Sequence, residues 1–302
     1  MLIYQPNQQR ILRLIIPLLW VTILAGCVAT NYSSSMFSMA RKVNWHHSLL
    51  QTDRFALASW FQYEKPGEPL TIYIEGDGYV RNSRYATSAD PTPHHPVAFY
   101  LALADPSANR AYLARPCQYR QGDPLDPSCT PRYWTSHRYH EDVITAMGEA
   151  VDQLKAQAKA EKIHLVGYQG GGNVATLLAA RRSDLLSLRS VAGNLNHMEV
   201  DNIHNRPVAM DSLNAITMAQ KIKKLPQRHH IASQDAEIAG HIAHEFVAAM
   251  GPESCAEVQI HPRVSQPTHW RKAWSSVFKI PLPCSEAAKE RTDKAVEKRS
   301  TP

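Results

Sequence analysis

Residues 163–173 constrain the fold of this chain more than any other stretch. Their sequence is I-H-L-V-G-Y-Q-G-G-G-N, and an alanine- and leucine-rich segment follows. A run of β-forming residues that breaks at a glycine and continues as good helix formers predicts a strand, a sharp turn and a helix. Because strands that alternate with helices build parallel sheets, this stretch predicts the central strand of an α/β domain.

The rest of the chain repeats this alternation. Residues 70–74 form a continuous run of apolar, β-branched and aromatic residues, which is typical of a strand buried on both faces, and residues 186–192 predict another buried strand. Apolar residues spaced by three and four positions predict helices that begin near residue 141 and near residue 238. We therefore predict an α/β fold, a three-layer sandwich with a mainly parallel central sheet.

The N-terminal segment predicts export. Arg10 and Arg13 precede an uncharged apolar run, and the run stops at L-A-G-C, which ends in Cys27. A basic start, a short apolar stretch and small residues before a break describe a secretory signal, too short to span a bilayer. L-A-G-C resembles a bacterial lipobox, whose cysteine is lipidated. Since Val28 is not the aspartate that retains Gram-negative lipoproteins in the inner membrane, the resemblance implies the outer membrane facing the periplasm. The alternatives are an ordinary membrane anchor or a cysteine there by chance.

Composition divides the chain into four expected segments. These are a lipoprotein signal peptide at 1–26, a tether at 27–44, a folded domain at 45–284 and a flexible charged tail at 285–302. The net charge of +6 would fall to +4 after cleavage, and the basic residues are scattered among acids. This pattern describes a solvated surface and gives no support to nucleic-acid binding.

The remaining four cysteines form an even set and predict disulfides in an oxidising periplasm. Pairing Cys117 with Cys129 and Cys255 with Cys284 is the simplest of three possible connectivities. A zinc site built from all four is the alternative, but the chain contains no C-x-x-C spacing. We therefore expect no metal and no cofactor.

Functional side chains are expected at the carboxyl ends of the predicted strands, where open α/β sheets bind ligands. In chain order these positions carry E-G-D-G at 75–78, then G-Y-Q-G-G at 167–171, then Asp235 and then His269. The order of sharp turn, acid and histidine resembles that of the α/β-hydrolase superfamily. The resemblance covers residues 54–280, and R-P-C-Q-Y at 115–119, Y-W-T at 133–135 and A-G-N-L at 192–195 suggest a lipoprotein branch.

The resemblance implies a role for each position. The turn would be a nucleophile elbow, in which G-x-S-x-G presents a serine at the top of the sheet. His269 would be the general base and Asp235 the residue that orients it. Backbone N–H groups of Gly170 and of the 76–78 loop (Gly76, Asp77, Gly78) would form the oxyanion site, with the Asp77 side chain turned into a structural hydrogen bond.

Gln169 occupies the serine position of that motif. A carboxamide has no ionisable proton, so a base has nothing to activate and no acyl-enzyme can form. Its amide could instead donate toward His269 and accept from the oxyanion groups. We therefore expect a lipid-anchored protein of serine-hydrolase ancestry that binds a partner or a small acyl or ester ligand without ordinary hydrolase activity.

Several alternatives remain open at this point. Water or another nucleophile, such as Ser212 or Ser233, could serve an active ester or acyl hydrolase, or the natural form could carry serine at position 169. Asp235 could simply cap a helix, and His269 could be a histidine buried in an interface. A histidine-based metal site is a further alternative, because histidines occur in adjacent pairs at 46/47, 94/95 and 229/230 and at helical spacing at 137/140 and 241/244.

Overall fold

The computed structural model describes residues 32–83, 86–119, 127–265, 267–277, 280–286 and 288. The predicted signal peptide, Cys27 and almost all of the predicted tail therefore lie outside the described residues. From Tyr32 onward the chain belongs to one compact unit. No helix in the described ranges is long and apolar enough to cross a membrane.

Eight strands form one sheet, with helices between them. The strands are β1 (His46–Gln51), β2 (Ala56–Tyr63), β3 (Leu70–Ile74), β4 (Asn109–Leu113), β5 (Ile163–Tyr168), β6 (Leu185–Val191), β7 (Gln227–Ala232) and β8 (Ala256–His261). The helices are α1 (Tyr32–Lys42), α2 (Val97–Ala104), α3 (Glu141–Gln157), α4 (Gly170–Ala179), α5 (His197–Ile203), α6 (His241–Met250) and α7 (His269–Val277). Short 3₁₀ helices span Pro131–Trp134 and Ala215–Ile222.

The sheet is mainly parallel, as the sequence predicts. Its strand order is β1-β2-β4-β3-β5-β6-β7-β8. Only the β1/β2 and β2/β4 pairs are antiparallel, and every pair from β4 to β8 is parallel. The turn after β5 therefore lies near the middle of the carboxyl edge, where ligands bind in such sheets.

Two hydrophobic cores lie on opposite faces of the sheet and give the three layers. Alternate residues of β5 point to the two faces, so Ile163 and Leu165 join one core while Val166 and Tyr168 join the other. Helices α3, α4 and α6 cover the first core, and α1, α2 and α7 cover the second. The predicted α/β sandwich is confirmed.

The start of the folded body differs from the predicted boundary at residue 45. Residues 32–42 of the predicted tether form helix α1, in which Met36 and Ala40 are buried in the second core beside Trp60. The serine-rich composition hid this helix because only one of its faces is apolar. The described part of the tether is therefore part of the domain.

Both predicted disulfides are present. Cys117 is bonded to Cys129 and Cys255 is bonded to Cys284. The second bond joins the segment after α7 to the start of β8, and so closes a loop that contains the last strand and the last helix. Cross-links of this kind stabilise a fold mainly by restricting the unfolded chain.

Candidate functional site

The turn between β5 and α4 is a strained elbow with Gln169 at its apex. Gln169 has φ 44° and ψ −117°, a conformation that residues with a side chain rarely adopt. Backbone hydrogen bonds hold it there: its N–H donates to Val191, and its carbonyl accepts from Gly172 and Asn194. A strained residue held this way projects its side chain at the top of the sheet.

Close backbone packing explains the glycines around the apex. A Cβ added to Gly171 would lie 2.2 Å from the carbonyl oxygen of Ile74, and one added to Gly167 would lie 2.2 Å from that of Gly171. At Gly170 the obstacle is the Asp77 carboxylate, 2.0 Å from the added atom. The elbow thus depends on residues without side chains at three positions.

A cavity of about 670 Å³ opens above this elbow. Gln169, Gly170, Asp77 and Gly78 line it together. Gly76 lies just behind, since a Cβ on it would be 3.3 Å from Gln169 Oε1. Because the first N–H groups of a helix lack partners within the helix, the start of α4 offers donors at this point. The structure therefore brings the elbow and the predicted oxyanion loop together.

Asp77 is held in a structural network, as the sequence predicts. Its carboxylate accepts hydrogen bonds from Arg115 Nη1 at 3.1 Å and from the Tyr139 hydroxyl at 2.7 Å. Burial, and after it the negative charge of Asp77, raises the pKa of Tyr139 well above its ordinary value. Tyr139 therefore stays a neutral donor, and Asp77 serves to fix the loop beside the elbow.

Asp235 caps backbone groups. Its Oδ1 accepts from the N–H groups of Glu237 and Ile238, both at 2.9 Å. These bonds hold a turn before α6, whose own N-cap is Gly240, so Asp235 does not cap that helix, contrary to the alternative drawn from the sequence. Asp235 lines a second, smaller cavity of about 170 Å³ on the other side of Gln169, and no hydrogen bond to His269 is found among the described residues.

His269 lies at the surface, at the first position of α7. Its Nδ1 is 3.5 Å from both the backbone nitrogen and the Oγ of Ser265. The next residue, Trp270, is buried and lines the smaller cavity. Because successive helix positions point about 100° apart, burying Trp270 turns His269 outward. His269 lines neither cavity, so the expected contact between its ring and the Gln169 amide is absent from the described structure.

Comparison by sequence finds no relative: no family model matches the chain, and no curated protein matches it. Solved structures do match its shape. An acylaminoacyl peptidase of Pyrococcus horikoshii superposes on 85% of the chain with a TM-score of 0.54 at 13% identity. The match covers 44% of the peptidase, so the chain spans less than half of that protein.

Two shorter proteins match over nearly their whole length. An esterase of Pyrococcus furiosus has a TM-score of 0.54 at 15% identity, over 79% of this chain and 91% of the esterase. A protein of unknown function from Agrobacterium tumefaciens, classed provisionally as an α/β hydrolase, has a TM-score of 0.52 at 10% identity, over 79% and 99%. The protein has the α/β-hydrolase fold.

Within this fold, the sequence reasoning missed the charged residues of the large cavity. Arg138 donates to Asp201 at 2.6 Å, and Arg206 makes two hydrogen bonds to Glu237 at 2.5 and 3.0 Å. All four side chains line the cavity. They come from separate loops and α5, with no spacing in sequence that would signal their pairing.

Neither the alternative nucleophiles nor the histidine pairs form a site with further reactive or metal-binding groups in the part of the chain that the structure describes. Ser212 Oγ donates to the carbonyl of Ser136, Ser233 Oγ donates to that of Pro262, and neither serine lines a cavity. Within the described ranges, no group of three or more His, Cys, Asp or Glu side chains is arranged to hold a metal ion.

Proposed function

We propose that this protein binds a ligand in the large cavity and lacks ordinary serine hydrolase activity. One observation carries the proposal: the residue at the apex of the elbow is Gln169, and its side chain lines both cavities. The carboxamide makes no hydrogen bond to another described residue, so its donors and acceptor are available to a ligand. The fold thus supplies a strained, fixed position for a binding group.

The surroundings of Gln169 support the absence of hydrolysis. A triad needs a nucleophile in hydrogen-bond contact with a base, and a third group that orients the base. Here the apex has no nucleophile, His269 contacts Ser265, and Asp235 is occupied by two backbone N–H groups. Both contacts of a triad, from nucleophile to base and from base to acid, would be missing among the described residues even with serine at position 169.

Ester hydrolysis by the full chain in detergent tests this proposal. We expect no turnover of short- or medium-chain aryl esters by the unmodified protein, and none by Gln169→Ser, because that change restores the nucleophile without the base. A Gln169→Asn variant is the matched control, since it keeps a carboxamide at the apex.

Turnover by the unmodified protein at an ordinary enzyme rate, about 1 s⁻¹ or faster, would show that the proposal is wrong. Turnover by the Gln169→Ser variant alone, lost again in Gln169→Ser/His269→Ala, would show that a base still reaches the elbow in solution. That result would support serine-hydrolase ancestry and would leave binding as the role of the natural chain.

We also propose that the chain is exported and anchored by a lipid on Cys27, in the outer membrane and facing the periplasm. The L-A-G-C segment supports this, and so do the two disulfides, which persist in oxidising compartments. In a bacterial host we expect radioactive palmitate to label the chain and the label to follow the outer-membrane fraction. The Cys27→Ala variant should lose the label, and labelling that survives this change would contradict the proposal.

A further inference from the structure

We infer that the large cavity binds a small organic acid, with one carboxylate at the cavity mouth and a hydroxyl group at the elbow. This inference rests on the proposed binding function and names the chemistry of the ligand. Two observations carry it. Arg81 lines the cavity without an acidic partner among the described residues, and Asn194, beside the elbow, has a buried side-chain oxygen that lacks a donor there.

Arg81 supplies a positive charge that no acid in the described ranges balances. The three acids of the cavity wall each accept a hydrogen bond from another arginine: Asp77 from Arg115, Asp201 from Arg138 and Glu237 from Arg206. Arg81 is exposed, and its guanidinium forms neither an ion pair nor a hydrogen bond with a described residue. Because a guanidinium presents a planar fork of donors, it binds a carboxylate through two parallel hydrogen bonds.

The backbone of Arg81 is held in place although its side chain is exposed. Arg81 pairs with Thr87 in an isolated antiparallel bridge, and next to this bridge the N–H of Ser88 donates to the carbonyl of Val80 at 2.9 Å. Thr87 lines the cavity as well. A group on an ordered backbone loses less conformational freedom when it binds. The charge is therefore presented at the mouth of the cavity.

The surroundings of Arg81 favour a ligand with a single negative charge. The wall holds three carboxylates, and its two other arginines already donate to two of them. A second negative charge on the ligand would meet these carboxylates without another unpaired cation among the described residues. A cationic ligand would be repelled by Arg81 itself.

The elbow presents groups that suit a hydroxyl. The carboxamide of Gln169 lines the cavity, offers two donors and an acceptor, and bonds to no other described residue. The N-terminus of α4 at Gly170 adds backbone donors beside it. A hydroxyl both donates and accepts, so it can bond to the amide oxygen and to one of these donors at the same time.

Asn194 adds a second acceptor beside Gln169. Its backbone N–H donates to the Gln169 carbonyl at 2.9 Å, and it lines the cavity although it is only 4% exposed. Its Nδ2 donates to the Tyr139 hydroxyl, which itself donates to Asp77, and these bonds fix the orientation of the amide. Oδ1 is left buried without a hydrogen-bond partner among the described residues. A ligand hydroxyl is a donor of the kind that this oxygen lacks.

Aliphatic side chains suit the part of the ligand that joins its two polar ends. Val80, Val208 and Ile238 line the same cavity. Methylene groups that pack against them are removed from water, which favours binding. The cavity therefore fits an acid whose carboxylate and hydroxyl are joined by a short aliphatic chain.

Binding of matched probes to the full chain in detergent, measured by ligand-observed NMR, tests the inference. γ-Hydroxybutyrate, ω-hydroxyhexanoate and ω-hydroxyoctanoate carry both groups on chains of increasing length. Hexanoate lacks the hydroxyl, ω-hydroxyhexanamide lacks the charge, ω-hydroxyhexylamine reverses it and ω-hydroxyhexyl phosphate adds to it. We expect ω-hydroxyhexanoate to bind with a Kd of about 1 mM or tighter, and these four probes to bind about fivefold more weakly or not at all.

A substitution of Arg81 separates the charge from the rest of the site. Arg81→Gln should weaken binding of ω-hydroxyhexanoate about tenfold and leave that of ω-hydroxyhexanamide unchanged, while Arg81→Lys should keep most of the affinity. Added salt should weaken binding of the acid alone, because Arg81 is exposed. Arg263→Gln is the matched control, since Arg263 is also exposed and lines neither cavity.

A substitution of Gln169 tests the hydroxyl end. Gln169→Leu should weaken binding of ω-hydroxyhexanoate about fivefold, the effect of one lost hydrogen bond, and leave that of hexanoate unchanged. Retained binding of hexanoate also shows that the cavity of the variant is folded.

Each outcome decides between the two proposals. If the unmodified protein bound hexanoate, the amide, the amine or the phosphate as tightly as ω-hydroxyhexanoate, the acid inference would be overturned and the binding function would stand. An unchanged affinity in Arg81→Gln would overturn the inference as well, and so would a failure of all three hydroxy acids to bind at about 10 mM. Ester hydrolysis by the unmodified protein would instead overturn the binding function itself.

Discussion

The elbow side of the site and the side that carries Asp235 and His269 differ in how closely they match the arrangement expected from the sequence. On the elbow side, Gln169 has a strained backbone that three backbone hydrogen bonds fix in place. On the other side, Asp235 caps a backbone turn, and His269 lies at the surface against Ser265. The strained elbow is therefore in place, while Asp235 and His269 make other contacts.

The difference has a physical cause. The elbow geometry comes from backbone packing between neighbouring strands and the first turn of α4, which also holds the domain together. A contact between Asp235 and His269 would require two loops to meet, and the packing of Trp270 in the second core orients α7 differently. Strain at the elbow persists because the surrounding packing requires it.

The substitution Gly171→Ala should have the largest effect on this comparison. The new Cβ would lie 2.2 Å from the carbonyl oxygen of Ile74, a backbone atom that cannot turn away. We expect a loss of about 3 kcal/mol or more in the free energy of unfolding, measured by urea denaturation. The control is Gly148→Ala in α3, whose Cβ would make an ordinary 3.5 Å contact with Leu178.

The control should stabilise the protein by about 0.5–1 kcal/mol, because alanine favours a helix more than glycine does. If the Gly171→Ala variant proved as stable as the unmodified protein, close backbone packing would not be what fixes the elbow.

The second-largest effect is expected for a substitution of Glu75, which lies in the loop beneath the elbow. It is 1% exposed, and burial raises its pKa to about 7, although a hydrogen bond from the Gly76 N–H at 2.8 Å opposes the shift. The Glu75 carboxyl group therefore stays protonated to a higher pH in the folded protein than in the unfolded chain. The contribution of Glu75 to stability is therefore most favourable below a pH of about 4.5, and it is lost as the pH rises from there to about 7.

The variant Glu75→Gln removes this penalty. The difference between the two pKa values corresponds to about 3 kcal/mol, so the variant should gain up to about that amount above neutral pH and almost nothing in acid. Urea denaturation across the pH range measures the gain, and Glu161→Gln, at an exposed position, is the control. An equal gain at both ends of the range would mean that Glu75 does not titrate with folding.

The sequence predicts the elbow side of the site well, for a reason visible in its residues. The strand of β3 is predicted with the bounds that the structure shows, and β5 and α4 are predicted as a strand, a turn and a helix. These are local features, set by runs of apolar residues and by glycines next to one another. The disulfides also follow from local spacing, and both pairings are confirmed.

The other side could not be predicted because it depends on contacts between distant segments. Asp235 and His269 stand in the expected order along the chain, yet order does not determine which way a side chain points. Arg138, Asp201 and Arg206 give no local signal, since each pair joins residues that are separate in sequence. Helix α1 was missed for the same reason: its apolar face becomes apparent only against Trp60.

The variant Asp235→Ala should cost about 1 kcal/mol, the net value of a side-chain to backbone hydrogen bond in a turn. Both hydrogen bonds of Oδ1 to backbone N–H groups would be lost. Asp235→Asn is the matched control, because an asparagine side-chain oxygen can accept the same turn hydrogen bonds and should retain most of the stability. If the asparagine variant were as unstable as the alanine variant, the negative charge of Asp235 would stabilise the fold, and its hydrogen bonds alone would not explain the loss.

The smallest effect is expected for His269→Ala. An exposed side chain with contacts of 3.5 Å should contribute less than about 0.5 kcal/mol, and its loss should not change ligand affinity. The neighbouring change Trp270→Phe serves as the control, since it alters a buried ring that lines the smaller cavity and should lower the melting temperature measurably. A marked loss of binding in His269→Ala would show that this histidine turns inward in solution, and the comparison between the two sides of the site would then fail.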